Sequence, residues 1–462
     1  MSFRTESDSM GEVHIPEEFL YGASTQRAVE NFQISTRHFD RRFIEALGLI
    51  KWASALANEE LGKLDSNLAQ VIAEKSLEVA EAKYDEHFIL DIYQTGSGTS
   101  TNMNANEVIT NLANPSLGGT IGTKSPVHPN DHVNMGQSSN DVIPTAIHVG
   151  AALGIAKGLI PALRLLHEAF VAKAREFSSI VKIGRTHLQD ATPVTLGQEF
   201  SGFAAQISHN MSRLDIALEG LEELAIGGTA VGTGINTHPE FAAKVCEHLS
   251  KKTGLRFYEA KNHFEAQAAK DACVFASGAL KTLAISLMKI ANDIRWMASG
   301  PRCGIGEIFL PELQPGSSIM PGKVNPVIPE SIMQISAQVQ GNDLAVQIGG
   351  QHGNFELNVM MPVIAGNLFE SINLLTNGCH MFADKCVKGI MVNEDRCQEL
   401  VEKSLMLVTN LNAVIGYDKA ADVAKKAFKE NKSLREILLS ENLITEEQAN
   451  QLLDPTTMLS PK

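Results

Sequence analysis

A chain of 462 residues, 44% hydrophobic and 20% charged, has a globular rather than a disordered balance and is too long for one ordinary core, so two or three domains are expected. Its net charge of −14, without any run of basic residues, excludes nucleic acid as a partner, because such binding rests on Lys and Arg neutralising phosphates. Small anionic substrates are not excluded, since a site can be locally positive on an acidic protein.

Aromatic residues make up only 6%, which leaves the core to Leu, Ile, Val, Ala and Met, a set that suits packed helices. Cys246, Cys273, Cys303, Cys379, Cys386 and Cys397 are scattered, with no C-x-x-C pair, and read as reduced thiols. The N-terminal MSFRTESDSMGE is polar and shows neither a signal-peptide nor a transit-peptide pattern. No stretch reads as membrane-spanning, so a cytoplasmic protein without a membrane partner is expected.

In chain order, Gly11, Pro16 and Gly22 punctuate an opening segment with room for a short hairpin. Residues from about Thr36 to Lys83 read as helix. Between Gly96 and Asn140 the chain turns Gly/Ser/Asn/Pro-rich and reads as long functional loops. From Asp141 to about Gly389 the text is helical. Its clearest stripe is Leu196, Phe200, Phe203, Ile207, Met211, Leu214, Leu218 and Leu221, which predicts one helix of roughly 40 Å at about 1.5 Å per residue. Similar stripes run through Ala151–Phe177, Phe264–Met297 and Met361–Phe382, and together they imply a long bundle. The tail from Val392 reads as smaller helices, with Thr445 a good N-cap. The resulting expectation is an all-α protein in three regions: a mixed, mainly helical 1–140, a central bundle 141–391 and a small helical 392–462.

Four polar segments carry the candidate chemistry. PGSSIMPGKVNPVIPE (Pro315–Glu330) places two serines, a lysine and an asparagine in a loop shaped by Gly and Pro. It is not a P-loop, because five residues separate Gly316 from Gly322 and Val324 stands where Ser or Thr should bind magnesium. A Lys and an Asn can hold the charge that develops when a proton leaves the carbon beside a carboxylate, and a Ser among backbone N–H donors can act as the base. GSGTSTNMN (Gly96–Asn104) and GQSSND (Gly136–Asp141) offer hydroxyls, amides and a helix N-terminus that favours anions. GRTHLQDATP (Gly184–Pro193) sets Thr186 beside His187 between two helical stretches. Together they suggest a dicarboxylate site with an acid and a base. His128 and His132 flank Asp131, but Pro129 and Asn130 oppose a helix there, so no metal is expected. GGTAVGTG (Gly227–Gly234) lacks the dinucleotide spacing, and no cofactor is expected.

These segments, in this order, resemble the signature regions of the fumarase/aspartase superfamily, and the resemblance extends from MGEVHIPEEFLYGASTQRA to the IGYDKAA segment. QTGSGTSTNMNANEVI, VHPNDHVNMGQSSNDVIPTAIH, KIGRTHLQDATPVTLGQEFSG, GGTAVGTGINT and NHFEAQAAKDA are most similar to its class II fumarase branch. VNPVIPE looks more like the aspartate ammonia-lyases.

The resemblance implies reversible hydration of fumarate to malate, with ammonia-lyase action as the alternative. It implies Ser317 as the base, with Ser318 adjacent and not separable from it by spacing. Lys323, Val324 and Asn325 would bind the carboxylate that gathers charge. Ser97, Gly98, Thr99, Ser138, Ser139, Asn140 and Thr186 would hold the substrate and the water. His187, paired with Glu330, would manage the proton of that water. His128, Pro129, Asn130 and Asp131 resemble an accessory anion site. A homotetramer with sites shared between subunits is implied as well.

Overall fold

In the computed structural model, which describes residues 2–461, seventeen α-helices carry the described residues and the strands are short. A hairpin of β1 (Phe3–Asp8) and β2 (Gly11–Pro16) precedes α1 (Ala23–Asn31), α2 (Arg41–Glu60), α3 (Ser66–Ala80), α4 (Thr99–Ser116), α5 (Ser139–Leu153) and α6 (Ile160–Glu176). A second hairpin, β3 (Val181–Thr186) and β4 (Gln189–Thr195), leads into α7 (Leu196–Leu221), α8 (Phe241–Thr253), α9 (His263–Ala268), α10 (Asp271–Met297), α11 (Val327–Gly350) and α12 (Met361–Lys385). Then follow α13 (Glu394–Lys403), α14 (Asn412–Ile415), α15 (Tyr417–Glu430), α16 (Leu434–Ser440) and α17 (Glu446–Leu452). The all-α expectation is met, and the long apolar stripe is the whole of α7.

The chain forms two compact units, each assembled from separate segments, and the boundaries between segments fall inside α6, α7, α10, α11 and α12. The first unit comprises Met1–Ala162, Asn210–Ile285 and Ile335–Asn377. Within it β1 and β2 pair antiparallel from Phe3↔Pro16 to Asp8↔Gly11, as the punctuation of the opening segment suggested. The expected single helix from Thr36 to Lys83 is two, α2 and α3, because Asp40 and Asp65 each cap a helix by accepting backbone N–H groups. Gly48 brings α2 and α3 together: a Cβ there would sit 2.7 Å from Ala80 N and Ser76 O.

The Gly96–Asn140 stretch is not the continuous loop its composition suggests. It contains α4, a buried helix rich in asparagine, a poor helix former on its own. Tertiary hydrogen bonds override that propensity. The Asn111 amide donates to Leu20 O and its oxygen accepts from Gly122 N, both at 2.8 Å. Asn114 donates to Thr123 O and Val127 O and accepts from Val127 N. Glu107, also buried, accepts from the backbone N–H groups of Gly22, Ser24 and Thr25 and from the Thr25 hydroxyl at 2.6 Å. Burial pushes its carboxyl upward and these donors pull it back.

The second unit comprises Leu163–His209, Ser286–Gln334 and Gly378–Lys462. Its core gathers Phe170, Phe177, Phe200, Phe203 and Phe382, with ring centroids of Phe170 and Phe382 6.0 Å apart and edge-on. The helical text expected from Asp141 to Gly389 is interrupted here by β3 and β4, which pair antiparallel with a bulge between Ile183 and Arg185. Buried Glu307 anchors β3 by accepting from Arg185 at 2.9 and 3.1 Å, with Lys182 Nζ 3.3 Å away. Met391–Val392 pairs antiparallel with Ile308–Phe309. The tail closes over its own core, Leu407, Leu411, Val423, Ile437 and Leu438 among others, and Thr445 caps α17 in a capping box with Gln448.

One expectation is corrected. Ser139–Glu176 and Asp271–Met297 are long and apolar enough to cross a membrane by length and composition. The most apolar window of the first is 72% buried within the protein, where a core helix reads much as a membrane span would.

Candidate functional site

The first unit joins three of the candidate hydroxyls directly. Ser97 Oγ lies 2.7 Å from Thr99 Oγ1, which in turn lies 2.7 Å from Ser139 Oγ. Thr99 and Ser139 are the first residues of α4 and α5, so the chain of hydroxyls sits where two helix N-termini converge. Such termini present N–H groups and partial positive charge, a setting that favours a carboxylate.

The backbone allows this approach only through glycine. A Cβ on Gly96 would fall 1.8 Å from Val359 O, and Gly98 takes φ +70° with the Ile143 side chain 3.0 Å from where a Cβ would be. Gly96 O also accepts from Met361 N at 3.2 Å, tying the loop to the start of α12.

Ser138, Asn140 and Asp141 fix the second loop. Ser138 caps α5 in a capping box with Asp141. The Asn140 amide donates to Ala230 O at 2.8 Å. Asp141 is fully buried, and its second oxygen accepts from Gly227 N and Thr229 N at 2.9 and 3.0 Å. Burial raises its carboxyl, and the backbone donors of Ser138, Thr229 and Gly227 oppose that rise. The glycine-rich GGTAVGTG segment is therefore backing for this loop, and Gln267 of NHFEAQAAKDA supports it in turn by donating to Thr229 O at 2.8 Å.

In the second unit, Thr186 ends β3, and His187 and Leu188 alone connect it to β4. The expectation of a loop between two helical stretches is corrected to a two-residue hairpin turn. His187 has φ +57° and Leu188 φ +59°, the signature of a type I′ turn, which favours Asn-Gly. Two non-glycine residues in the left-handed region hold strain of about 1–2 kcal/mol each. His187 is exposed.

The loop carrying Ser317 closes on itself. Gly316 N donates to Lys323 O at 2.7 Å, and Asn325 Nδ2 donates to Gly316 O at 2.7 Å. Ser317 Oγ accepts from Ile319 N at 3.2 Å and Met320 N at 3.1 Å, whereas among the described residues no backbone N–H donates to Ser318 Oγ. Lys323 and Val324 are exposed on the loop. VIPE is the first turn of α11, so Pro329 sits where a helix tolerates proline, and Glu330 lies in that turn. Among the described residues no hydrogen bond or ion pair joins His187 to Glu330 or to Ser317.

His128 caps a single turn over Pro129–Val133, its Nδ1 accepting from Asn130 N and Asp131 N at 3.2 Å each. His128, Pro129 and Asn130 line a cavity of about 280 Å³ with Lys124 and the carboxylates Glu6 and Asp8. Those two carboxylates are paired, Glu6 with Arg4 and Asp8 with Arg27.

Sequence reading passed over the residues beneath the hydroxyl chain, chiefly Lys51, Asn134 and Gln137. Lys51 does leave a trace: it follows buried Ile44 and Leu47 of α2 at helical spacing, where a charged residue is out of place unless paired.

Comparison with known proteins places these features in a family. Residues 11–341 match a family described as lyase, and residues 407–460 match one described as fumarase C C-terminus. The chain is 53% identical over 458 residues to a class II fumarate hydratase of Methylorubrum extorquens, covering 99% of this chain and 97% of that protein. It is 52% identical over 463 residues to the mitochondrial fumarate hydratase of Saccharomyces cerevisiae, covering 100% and 95%. Among solved structures, the class II fumarase of Schistosoma mansoni superposes with a TM-score of 0.96 at 40% identity, covering 99% of each chain. A fumarate lyase:delta crystallin structure from Brucella melitensis bound to cobalt gives 0.95 at 43% identity over 100% of both chains.

The turn geometry has a direct test. Leu188→Gly relieves left-handed strain and is expected to leave the urea unfolding midpoint unchanged or raise stability by up to ~1 kcal/mol. Leu188→Ile, β-branched at positive φ, is expected to lower it. Lower stability in Leu188→Gly alone would argue against the type I′ turn.

Proposed function

The chain belongs to the lyase family, in its class II fumarate hydratase branch, and on that premise we propose that it adds water reversibly across the double bond of fumarate to give L-malate. The observation that carries the chemical reading is the pair of backbone N–H groups directed at Ser317 Oγ. Two such donors stabilise an oxygen anion and so favour the alkoxide form that a base requires. Ser318 lacks that pair, which supports Ser317.

In the dehydration direction, the Ser317 alkoxide takes the C3 proton of malate. The electron pair passes into the adjacent carboxylate, whose added charge Lys323 and Asn325 hold beside the backbone of Val324 and Ser318. The C2–O bond then breaks and the hydroxyl leaves as water, its proton supplied by His187 with Glu330 behind it. Hydration runs the same steps in reverse. Ser97, Thr99, Ser138, Ser139, Asn140 and Thr186, with Gly98 allowing the close approach, bind the carboxylates and the water. A strained turn that aims His187 outward supports an acid–base role, since strain of this kind persists where surrounding structure over-determines it.

We further propose a homotetramer with sites shared between subunits. Ile216 on α7, Phe275 and Ile285 on α10, and Leu344 and Ile348 on α11 are large apolar side chains left exposed. Gly202, Gly278 and Gly341 lie within the same three helices and have no atom within 4 Å of a Cβ position. Mid-helix glycine costs about 1 kcal/mol, and no neighbour within the chain needs the room. A second copy packed closely against these helices accounts for both features. The accessory role of His128, Pro129, Asn130 and Asp131 stays within this proposal, as do the three regions 1–140, 141–391 and 392–462. So does a cytoplasmic location, which the free, mostly buried cysteines suit.

Fumarate absorbance is expected to fall in water alone, with no need of ammonium. L-malate should exceed L-aspartate by at least ~1000-fold in kcat/KM, about 4 kcal/mol. Comparable rates on aspartate would overturn the hydratase reading.

Ser317→Ala is expected to lose ~10²–10⁴-fold in kcat with folding unchanged. A loss under tenfold would remove Ser317 as the base, and Ser318→Ala would then be decisive. Mixing Ser317→Ala with His187→Asn after subunit exchange should restore part of the activity, because some hybrid sites would hold both wild-type residues. A mixture that stays inactive despite proven exchange would place both residues of each site in one chain.

A further inference from the structure

Lys51 is fully buried in α2, preceded at helical spacing by buried Ile44 and Leu47 and followed by buried Ser54 and Asn58. Its ammonium nonetheless finds three acceptors, one for each N–H: Asn102 Oδ1 at 2.8 Å, Asn134 Oδ1 at 2.9 Å and Gln137 Oε1 at 2.9 Å. All three are neutral amide oxygens. Each acceptor belongs to a segment that bears candidate binding residues. Asn102 lies one turn into α4 beyond Thr99, and Gln137 immediately precedes Ser138.

The amides are themselves locked. Asn134 Oδ1 also accepts from Asn102 Nδ2 at 3.2 Å, and Asn134 Nδ2 donates to Gln137 O at 3.1 Å. Gln137 Nε2 donates to Val133 O and Met135 O, at 3.2 Å each. Rotating any one amide would bring an N–H against the ammonium. An uncharged amine would have two N–H groups for three oxygens and would turn its lone pair on the third. Burial lowers Lys51 and the nearby Asp141 carboxylate opposes that fall, for a net value of about 7. A buried ammonium left without partners is costly, so this arrangement persists only while α4 and the 134–137 segment keep their present separation.

We propose that Lys51 is a positioning residue for the reaction: by clamping Asn102 to Asn134 and Gln137, it sets the distance between the N-termini of α4 and α5 and so the Ser97–Thr99–Ser139 chain of hydroxyls that binds the substrate carboxylate. The assignment rests on the proposed hydratase site, and it acts through that chain without touching substrate. The two hydroxyl links of 2.7 Å leave little slack. A displacement of about 1 Å between preorganised groups is enough to cost ~10²-fold in rate.

The test compares Thr99→Val, Lys51→Met and the double variant in the full-length protein, with kcat and KM for L-malate normalised to folded protein by circular dichroism and size. Thr99→Val is expected to raise KM by at least ~10²-fold, because it breaks the chain that any displacement would only distort. Lys51→Met, which fills the space but gives the three oxygens no donor, is expected to lower kcat/KM by ~10²-fold, mainly through KM. The double variant should be little worse than Thr99→Val, since the chain of hydroxyls is then already broken.

Should Lys51→Met fail to fold, Gln137→Leu and Asn134→Leu replace it, with the same rise in KM expected. Folded Lys51→Met, or its replacements, with KM and kcat within twofold of wild type while Thr99→Val is impaired would overturn the positioning role alone. Effects that multiply fully in the double variant would do the same. A Thr99→Val protein with unchanged kinetics would remove the hydroxyls from the site and overturn the positioning role with them, whereas a wild-type protein without malate turnover would overturn the hydratase reading itself.

Discussion

The candidate binding hydroxyls depend on one segment, Asn134–Asp141, being held by buried charges of opposite sign. Lys51 grips its first half through Asn134 and Gln137. Asp141 ends it, accepting from Ser138 N on one side and from Gly227 N and Thr229 N on the other. Each ion costs several kcal/mol to remove from water. Each is tolerated because its hydrogen-bonding capacity is met by groups that cannot move without leaving it bare. That requirement turns a glycine- and serine-rich stretch into a fixed platform. The same logic gives the glycine-rich strip Gly227–Gly234 a structural part, since the N–H groups of Gly227 and Thr229 are committed to Asp141.

The asparagine-rich α4 extends the principle. An isolated helix of this composition would be marginal. Here its side chains satisfy backbone groups of the loops around it, Leu20, Gly122, Thr123 and Val127 among them. Glu107 does the same for the turn that begins α1. The helix acts less as a hydrophobic brace than as a template on which irregular backbone is ordered.

The second unit solves a different problem. On the proposed mechanism it must hold a base and a proton donor in place, Ser317 half-buried and His187 exposed. Ser317 is held by a loop closed through Gly316, Lys323 and Asn325, and His187 by a tight turn in unfavourable backbone conformations. The hairpin carrying that turn is anchored along β3 by Lys182 and Arg185, which meet buried Glu307. Strain at the tip is sustainable because Arg185, two residues before His187, is itself held by Glu307. Among the described residues neither group finds a catalytic partner within its own chain, which accords with sites completed by other copies.

The residues alone determined the helical class, the stripe that became α7, the cap at Thr445 and the identity of the chemical segments, because these rest on spacing and residue type within one stretch. Hydroxyls, amides, a lysine and a histidine keep their chemistry whatever surrounds them. The tertiary structure decided the rest. Composition made α4 read as loop, since asparagine's preference for turns is reversed only by partners distant in sequence. The His187 turn carried no Asn-Gly signal, because its left-handed backbone is imposed by strand pairing. The split of α2 from α3 turned on two aspartates whose capping role appears only once the backbone is placed. Lys51 looked like a stray charge on α2 until folding supplied three oxygens from residues 51 to 86 positions away. Local pattern reveals which groups are available, and only long-range packing determines which of them meet, because the partners that settle a buried polar group's energy lie outside any window of sequence.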